Sequence, residues 1–596
     1  MTVDYDVLIR DGTIVDGTGK ARFPGSVGIR GGKVVSVGGP EATAGRIIDG
    51  QGLVVCPGFV DPHSHADLNI LQEPLAENLI MQGVTSFIGC NCGHSRAPLR
   101  GPQYASRWSE YLGLEPDPSA PADWRTFGEF LARVETSGMA INFVPLVGHG
   151  AIRLTVMGED FKRRATPDEV EAMKHQLRDA LEAGAFGLSA GMDYEGDYAD
   201  PDAEVVELLK LVQERDGFFA PHTRNLDYRW PVDDPEDFGY GRSHGPREDA
   251  WVGRYHGVVE AVETARLANN VRTQIAHFPP AWAVFQPHPE SVERAVAQCT
   301  LEEFIDRPRA GGLDISFNIL PASFSAGSRS AVINSFYNPM VEIPYWLRTL
   351  PKDQFAERLR IRSFRERLKD LIFSGTFKFG MLPPRIDPYW MDCFMVASCR
   401  IRDYEGRTVG EIARERSPHR IMEAVYNQSL EVVFDMLVED SDATWDYVLD
   451  KRSGPVIQEL FLSHPCGFPC MDSACMAAAQ PSDTLSKVSP LYFGAFPNFI
   501  CTMVKETRLL TLEQAIHKAC CQPLQELAGI KDRGVIREGC YADLIVFDLE
   551  RIRLTGTFGD PALPTDGIEY VLVNGQVVYE GQKPTGARPG KVLHRG

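Results

Sequence analysis

Short apolar runs bounded by turn formers recur along this chain, with stretches of helical periodicity between them. The runs at 84–89, 141–147, 185–189, 218–222, 272–277 and 313–320 are continuous rather than alternating and rich in Val, Ile and Phe. That pattern predicts strands buried on both faces. Between them, 168–181 and 258–267 carry apolar residues at three- and four-residue spacing, which predicts amphipathic helices. Strand–helix alternation of this kind predicts a parallel sheet covered by helices. With seven or eight such units a (β/α)8 barrel is preferred to an open sheet, and barrel chemistry sits at the carboxyl ends of the strands.

The two ends of the chain have another texture. Runs at 6–10, 13–15, 26–30 and 33–37 are separated by Asp11-Gly12, Asp16-Gly17 and Gly31-Gly32, which are hairpin signals. Residues 542–548 and 569–579 look the same, and neither end has enough strands for a stable sheet alone. The expected fold is therefore α/β: a TIM-like barrel over 57–534, and a small β-sandwich domain built jointly from 1–56 and 535–596. Residues 321–455 are too long for one barrel connection. Their aromatic, proline-dotted part and their helical part (409–416, 418–425, 430–438) predict an insertion, either a lid or a buttressing subdomain. Residues 226–250 read as an irregular surface excursion.

Composition narrows the function. Over 596 residues, 43% hydrophobic and 24% charged positions are those of a globular protein. A net charge of -20 argues against a nucleic-acid partner. No segment reaches membrane-spanning length, and the acidic N-terminus lacks the apolar stretch of a secretory signal. With thirteen scattered cysteines, the expectation is a cytoplasmic chain whose thiols are free or ligating.

Candidate chemistry appears where the apolar runs end. The run at 53–60, broken by Pro57-Gly58, ends in His63-Ser64-His65. Alternation along extended backbone puts both imidazoles on one side. Cys92 follows the 84–89 run within Gly89-Cys-Asn-Cys-Gly93, His149 follows 141–147, and His222 and His277 close their own runs. Asp472 comes after the apolar stretch 460–462. One such histidine means little. Five histidines, a cysteine and an aspartate recurring at strand ends form a donor set that zinc accepts.

With these residues in place, the sequence resembles the amidohydrolase superfamily, and within it the N-acyl-D-amino-acid deacylase (D-aminoacylase) family. The resemblance runs almost end to end. It includes Pro57-Gly-Phe-Val-Asp-Pro-His-Ser-His-Ala-Asp67, Asn91-Cys-Gly93, Pro221-His-Thr-Arg224 and Ile275-Ala-His277, then Tyr492-Phe-Gly-Ala-Phe-Pro497 and Ala542-Asp-Leu-Ile-Val-Phe-Asp548. Asn-Cys-Gly is the specific part, because a cysteine stands where most binuclear relatives use a carboxylated lysine. The resemblance implies that Cys92, His222 and His277 hold one tight Zn2+. It implies that His63, His65 and Asp472 form a second, weaker position, with the thiolate able to bridge. Asp472 would be general base and acid for water activated by the metal. Arg224, Tyr194 and His149 match positions near the pocket, Arg224 serving as a carboxylate clamp or a surface salt bridge.

The activity implied is hydrolysis of a linear amide, by default an N-acyl-D-amino acid, giving a D-amino acid and a carboxylate. The partner is thus a small-molecule amide, with no nucleic acid and no membrane; homo-oligomerisation stays open. Pro279 stands where the family commonly has a lysine that meets the substrate carboxylate. That difference keeps open the same metal machinery on another amide, a cyclic amide, a carbamate or a urea-type compound. A non-catalytic scaffold on the same fold is the third reading.

Overall fold

The computed structural model describes residues 4–39, 43–101, 122–160, 163–192, 204–224, 253–279, 288–322, 324–336, 345–348, 350–373, 390–448, 455–479, 488–557 and 560–595. Eight parallel strand positions follow one another in chain order. Phe59–Asp61, Val84–Gly89 and Asn142–Pro145 pair in one sheet. The third position continues past Leu146 as Val147–Gly148, which leads into Gly187–Gly191, Phe218–His222, Arg272–Ile275, Ile315–Ile319 and Gly467–Pro469. The eighth position returns to the first through hydrogen bonds from Asp472 N to His63 O (3.0 Å) and from His65 N to Ser473 O (2.9 Å). This closed parallel arrangement is the expected barrel.

The strands form where apolar side chains can be buried on both faces; every residue of the second, third and fourth is buried. The outer layer includes Phe127–Ser137 and Pro167–Glu182, each opened by a threonine capping box (Thr126 with Glu129, Thr166 with Glu169) that satisfies backbone N–H groups left over at the first turn. Inside, Phe87 stacks on Phe143 at 4.7 Å, and Phe59 on Phe496 at 5.2 Å.

Both chain ends share one nine-stranded sheet. Val54–Pro57 is its hinge member: it runs parallel to Tyr5–Ile14 and antiparallel to Leu544–Phe547. The sheet wraps a core of its own that includes Ile9, Val27, Val55, Leu544 and Leu572. Gly58 then carries the chain straight into the barrel. A Cβ there would lie 2.1 Å from the Thr85 side chain, so the close approach of strand and neighbour requires glycine.

Two local expectations fail for tertiary reasons. Asp11-Gly12 makes no hairpin. Tyr5–Ile14 runs through it with a register shift, Asp11 at φ +59°, because the neighbouring strand Phe23–Arg30 pairs on both sides of the bulge. The 460–462 stretch is helical, within Pro455–Ser463, and the eighth strand is instead the short Gly467–Pro469. Within 321–455, Phe324–Ala331, Thr444–Val448 and Phe394–Ser398 form an antiparallel three-stranded sheet. Helices Val409–Arg416 and Met422–Glu439 pack with it around Trp445, Phe434 and Phe336. Residues 226–250 lie outside the described residues.

Phe59→Ala should destabilise the fold by about 3–5 kcal/mol, the usual cost of truncating a buried phenylalanine. Urea unfolding would read this as a lowered midpoint; an unchanged midpoint would contradict the packing described.

Candidate metal centre

Each candidate ligand sits just past a strand's carboxyl end. His222 is the last residue of its strand; His63 and His65 follow Asp61, Cys92 follows Gly89, His277 follows Ile275 and Asp472 follows Pro469. The barrel brings them together. Cys92 Sγ lies 3.3 Å from His63 Nε2, 3.6 Å from His222 Nδ1 and 3.6 Å from His277 Nε2. His222 Nδ1 and His277 Nε2 are 3.1 Å apart. Asp472 Oδ1 is 3.4 Å from His63 Nε2 and 3.3 Å from His65 Nε2.

Three of the six positions adopt left-handed backbone: Cys92 at φ +55°, His277 at +32° and Asp472 at +54°, while Cys90 beside the site is at +63°. Such φ values are uncommon for residues with a Cβ and persist where surrounding structure fixes them. Here they turn the chain sharply at the strand end, so that the side chain points across the barrel mouth. Asp67 holds the cysteine loop, its Oδ1 accepting from Cys90 N at 2.7 Å. Asp61 Oδ1 accepts from His63 N (3.3 Å) and Met471 N (3.0 Å), tying the first and eighth strands together.

Burial lowers the His63 pKa, and burial together with the nearby His222 charge holds His277 well below the usual histidine range. Neutral imidazole is the form that binds metals. Burial pulls His65 down too, but its bond to Asp472 wins and raises it. Burial opposes ionisation of Asp472, yet His63 and His65 outweigh it and keep the carboxyl well below its ordinary value. Asp61, without such help, is pushed up to about 7 by burial.

The donor set fits a metal ion on its chemistry. His63, His65 and Cys92 form one group of ligand atoms mutually within 4.8 Å; Cys92, His222 and His277 form a second, and His63, His277 and Asp472 a third. The sulfur thus belongs to two groups, as a bridging ligand would. The groupings also differ from two separate triads, because His277 and His63 each serve more than one.

Other sequence candidates have different surroundings. His149 is fully buried, with Nε2 2.6 Å from Glu204 Oε1, and Arg153 pairs with the same glutamate. Arg224 forms a two-pronged ion pair with Glu260, Nε to Oε2 at 2.8 Å and Nη2 to Oε1 at 3.0 Å. This ion pair is buried, which corrects the surface alternative expected for it. Tyr194 lies outside the described residues. Pro279 is buried beside Phe278, whose ring packs on Phe317 and Phe461.

Sequence reasoning passed over four acids and bases at the site. His94 is buried with its ring 6.0 Å from that of His65; its signal was adjacency, two residues after Cys92. Asp61 and Asp67 bracket the His-x-His segment, yet only the folded chain shows which backbone amides they hold. Tyr492 is partly buried nearby, its phenol pushed up to about 12 by desolvation and the Asp472 charge.

Comparison with known proteins points the same way. A family model described as "Amidohydrolase family" matches residues 46–218. The N-acyl-D-aspartate deacylase of Alcaligenes xylosoxydans xylosoxydans is 28% identical over 99% of this chain and 95% of its own. The N-acyl-D-glutamate deacylase of the same organism is 27% identical over 100% and 98%. The chain is similar to amidohydrolases of the N-acyl-D-amino-acid deacylase type along almost its whole length. Its fold matches the solved N-acyl-D-glutamate deacylase of Bordetella bronchiseptica, a complex with zinc and a phosphonate mimic of the tetrahedral intermediate. That match has a TM-score of 0.67 at 24% identity and covers 99% of this chain and 100% of the other. No helix among the described residues is long and apolar enough to cross a membrane.

Cys92→Ala should strip metal from the purified protein while leaving its circular dichroism unchanged, since the barrel packs without that sulfur. Elemental analysis checks this, and undiminished metal content would remove Cys92 from the ligand set.

Proposed function

We propose that this protein is a zinc-dependent deacylase that hydrolyses the linear amide of an N-acyl-D-amino acid. The observation that carries the proposal is Cys92 Sγ converging with His222 and His277 at the barrel mouth, in a chain similar over its whole length to deacylases of that class. In this reading Cys92, His222 and His277 hold the tighter zinc, and His63, His65 and Asp472 a weaker position. When bound, the metal supplies a Lewis acid that polarises the scissile carbonyl and acidifies a water molecule.

The chain's own groups do the rest. Asp472, kept ionised by His63 and His65, takes the proton from water and returns it to the departing amine nitrogen. The acidic tie at Asp61 and the Asp67 clasp on the cysteine loop fix the strand ends from which these groups project. Arg224 and His149 are each locked to a buried glutamate; with Tyr194 they are the residues to which the resemblance gives a place near the substrate. Thirteen free cysteines suit a reducing, cytoplasmic setting.

Pro279 supports a second reading. It is buried and brings no cation to the place where the family commonly has a lysine for a substrate carboxylate, which favours an amide lacking that group, such as a cyclic amide or a carbamate. A non-catalytic scaffold suits the chain poorly, because six metal-binding side chains face one another.

Asp472→Asn should lower turnover about 10²–10⁴-fold, the usual share of general acid–base catalysis. Amine release from a panel of N-acyl-D- and N-acyl-L-amino acids, measured beside bound zinc, reads this out. Near-normal turnover in the variant would exclude Asp472 as base. Bound metal without turnover of any acyl amino acid would instead favour the second reading.

A further inference from the structure

The backbone at Cys92 and His277 is left-handed, at φ +55° and +32°, whereas His222 ends its strand in ordinary ladder pairing with Gly191. A left-handed residue carrying a Cβ stays in place only where surrounding structure fixes it. Besides the Asp67 clasp, two buried polar side chains supply that fixation from other strands.

Ser189 lies in the fourth strand, Gly187–Gly191, and is fully buried. Its hydroxyl donates to Cys90 O and accepts from Gly93 N at 3.0 Å. One oxygen thus closes the turn on both sides of Cys92. Only a group that both donates and accepts can make this pair of bonds. The third strand separates Ser189 from the strand that leads into the cysteine turn. It gives way at Gly148, where a Cβ would lie 2.3 Å from Gly93 O. Glycine there lets the turn pass over the third strand and reach the fourth.

Asn318, buried in the seventh strand Ile315–Ile319, holds the other turn. Its Oδ1 accepts from His277 N at 2.7 Å, and its backbone oxygen accepts from Phe278 N at 2.8 Å. Its Nδ2 is buried without a hydrogen-bond partner among the described residues. A buried donor left unmatched is costly, so the carboxamide is retained for its oxygen, which fixes the amide of a candidate ligand.

We infer that Ser189 and Asn318 are positioning residues of the metal centre, holding Cys92 and His277 at the separation zinc requires. Zinc bound tetrahedrally, at about 2.3 Å to sulfur and 2.0–2.1 Å to nitrogen, places those two atoms about 3.6 Å apart. Cys92 Sγ lies 3.6 Å from both His222 Nδ1 and His277 Nε2. The inference rests on the metal-binding reading above and on no particular substrate.

Zinc affinity of the full chain, measured by chelator competition, tests this. Ser189→Ala and Asn318→Leu should each weaken zinc binding about 10–100-fold, the usual cost of removing a group that orients a metal ligand. Ser316→Ala is the control and should keep wild-type affinity. That serine is buried two residues before Asn318, but its hydroxyl donates to Thr273 O instead. The absorption spectrum of the cobalt-loaded protein, which reports ligand geometry, should change in the first two variants and not in the control. The two variants are independent, so if one fails to fold the other still decides. Unweakened zinc binding in either, or an equal loss in Ser316→Ala, would overturn the inference. A wild-type chain that binds no zinc would overturn the metal reading itself, and this inference with it.

Discussion

The seam between the first and last barrel strands is the constraint on which the site depends. Asp61, His63 and His65 on one side meet Met471, Asp472 and Ser473 on the other through backbone bonds and the Asp61 carboxylate. Residues some four hundred positions apart are thereby fixed in register. Because parallel strands all point their carboxyl ends the same way, closing this seam also sets the height at which Cys92, His222 and His277 face His63. A loosened seam would separate Asp472 from His63 and His65 even if every ligand were present. The buried, raised carboxyl of Asp61 reflects the same economy of space: an acid is retained in a dry position because it accepts from two backbone amides.

Backbone geometry and chemistry converge at the mouth. Three of the six candidate ligands and Cys90 occupy left-handed conformations, and none of them is glycine. Side chains with a Cβ are held there because pairing on one side and a clasp such as Asp67 on the other leave no alternative. Desolvation adds its own contribution. It keeps His63 and His277 neutral, while the Asp472 carboxylate stays ionised because two imidazoles stabilise it. A mouth with neutral nitrogen donors, a thiol and one anionic oxygen offers a borderline-soft cation what it prefers.

The insertion follows a separate logic. Its core around Trp445, Phe434 and Phe336 is distinct from the main barrel core.

Much of this was legible in the sequence. Continuous apolar runs predicted the buried parallel strands, and matching textures at the two ends predicted one shared β-domain, because period and composition report burial directly. The ligand types were legible as well, since a histidine, cysteine or aspartate that interrupts an apolar run stands out. Folding alone decided the rest. Asp11-Gly12 carries a hairpin signal that a full-length partner strand overrode, and the apolar stretch before Asp472 became a helix because the eighth barrel place was filled by Gly467–Pro469. That Arg224 faces Glu260, that Asp67 clasps Cys90, and that Cys92 belongs to two donor groups are facts about distance between residues far apart in the chain. Local pattern carries no distance. Those relations come into being only when the strands close into a ring.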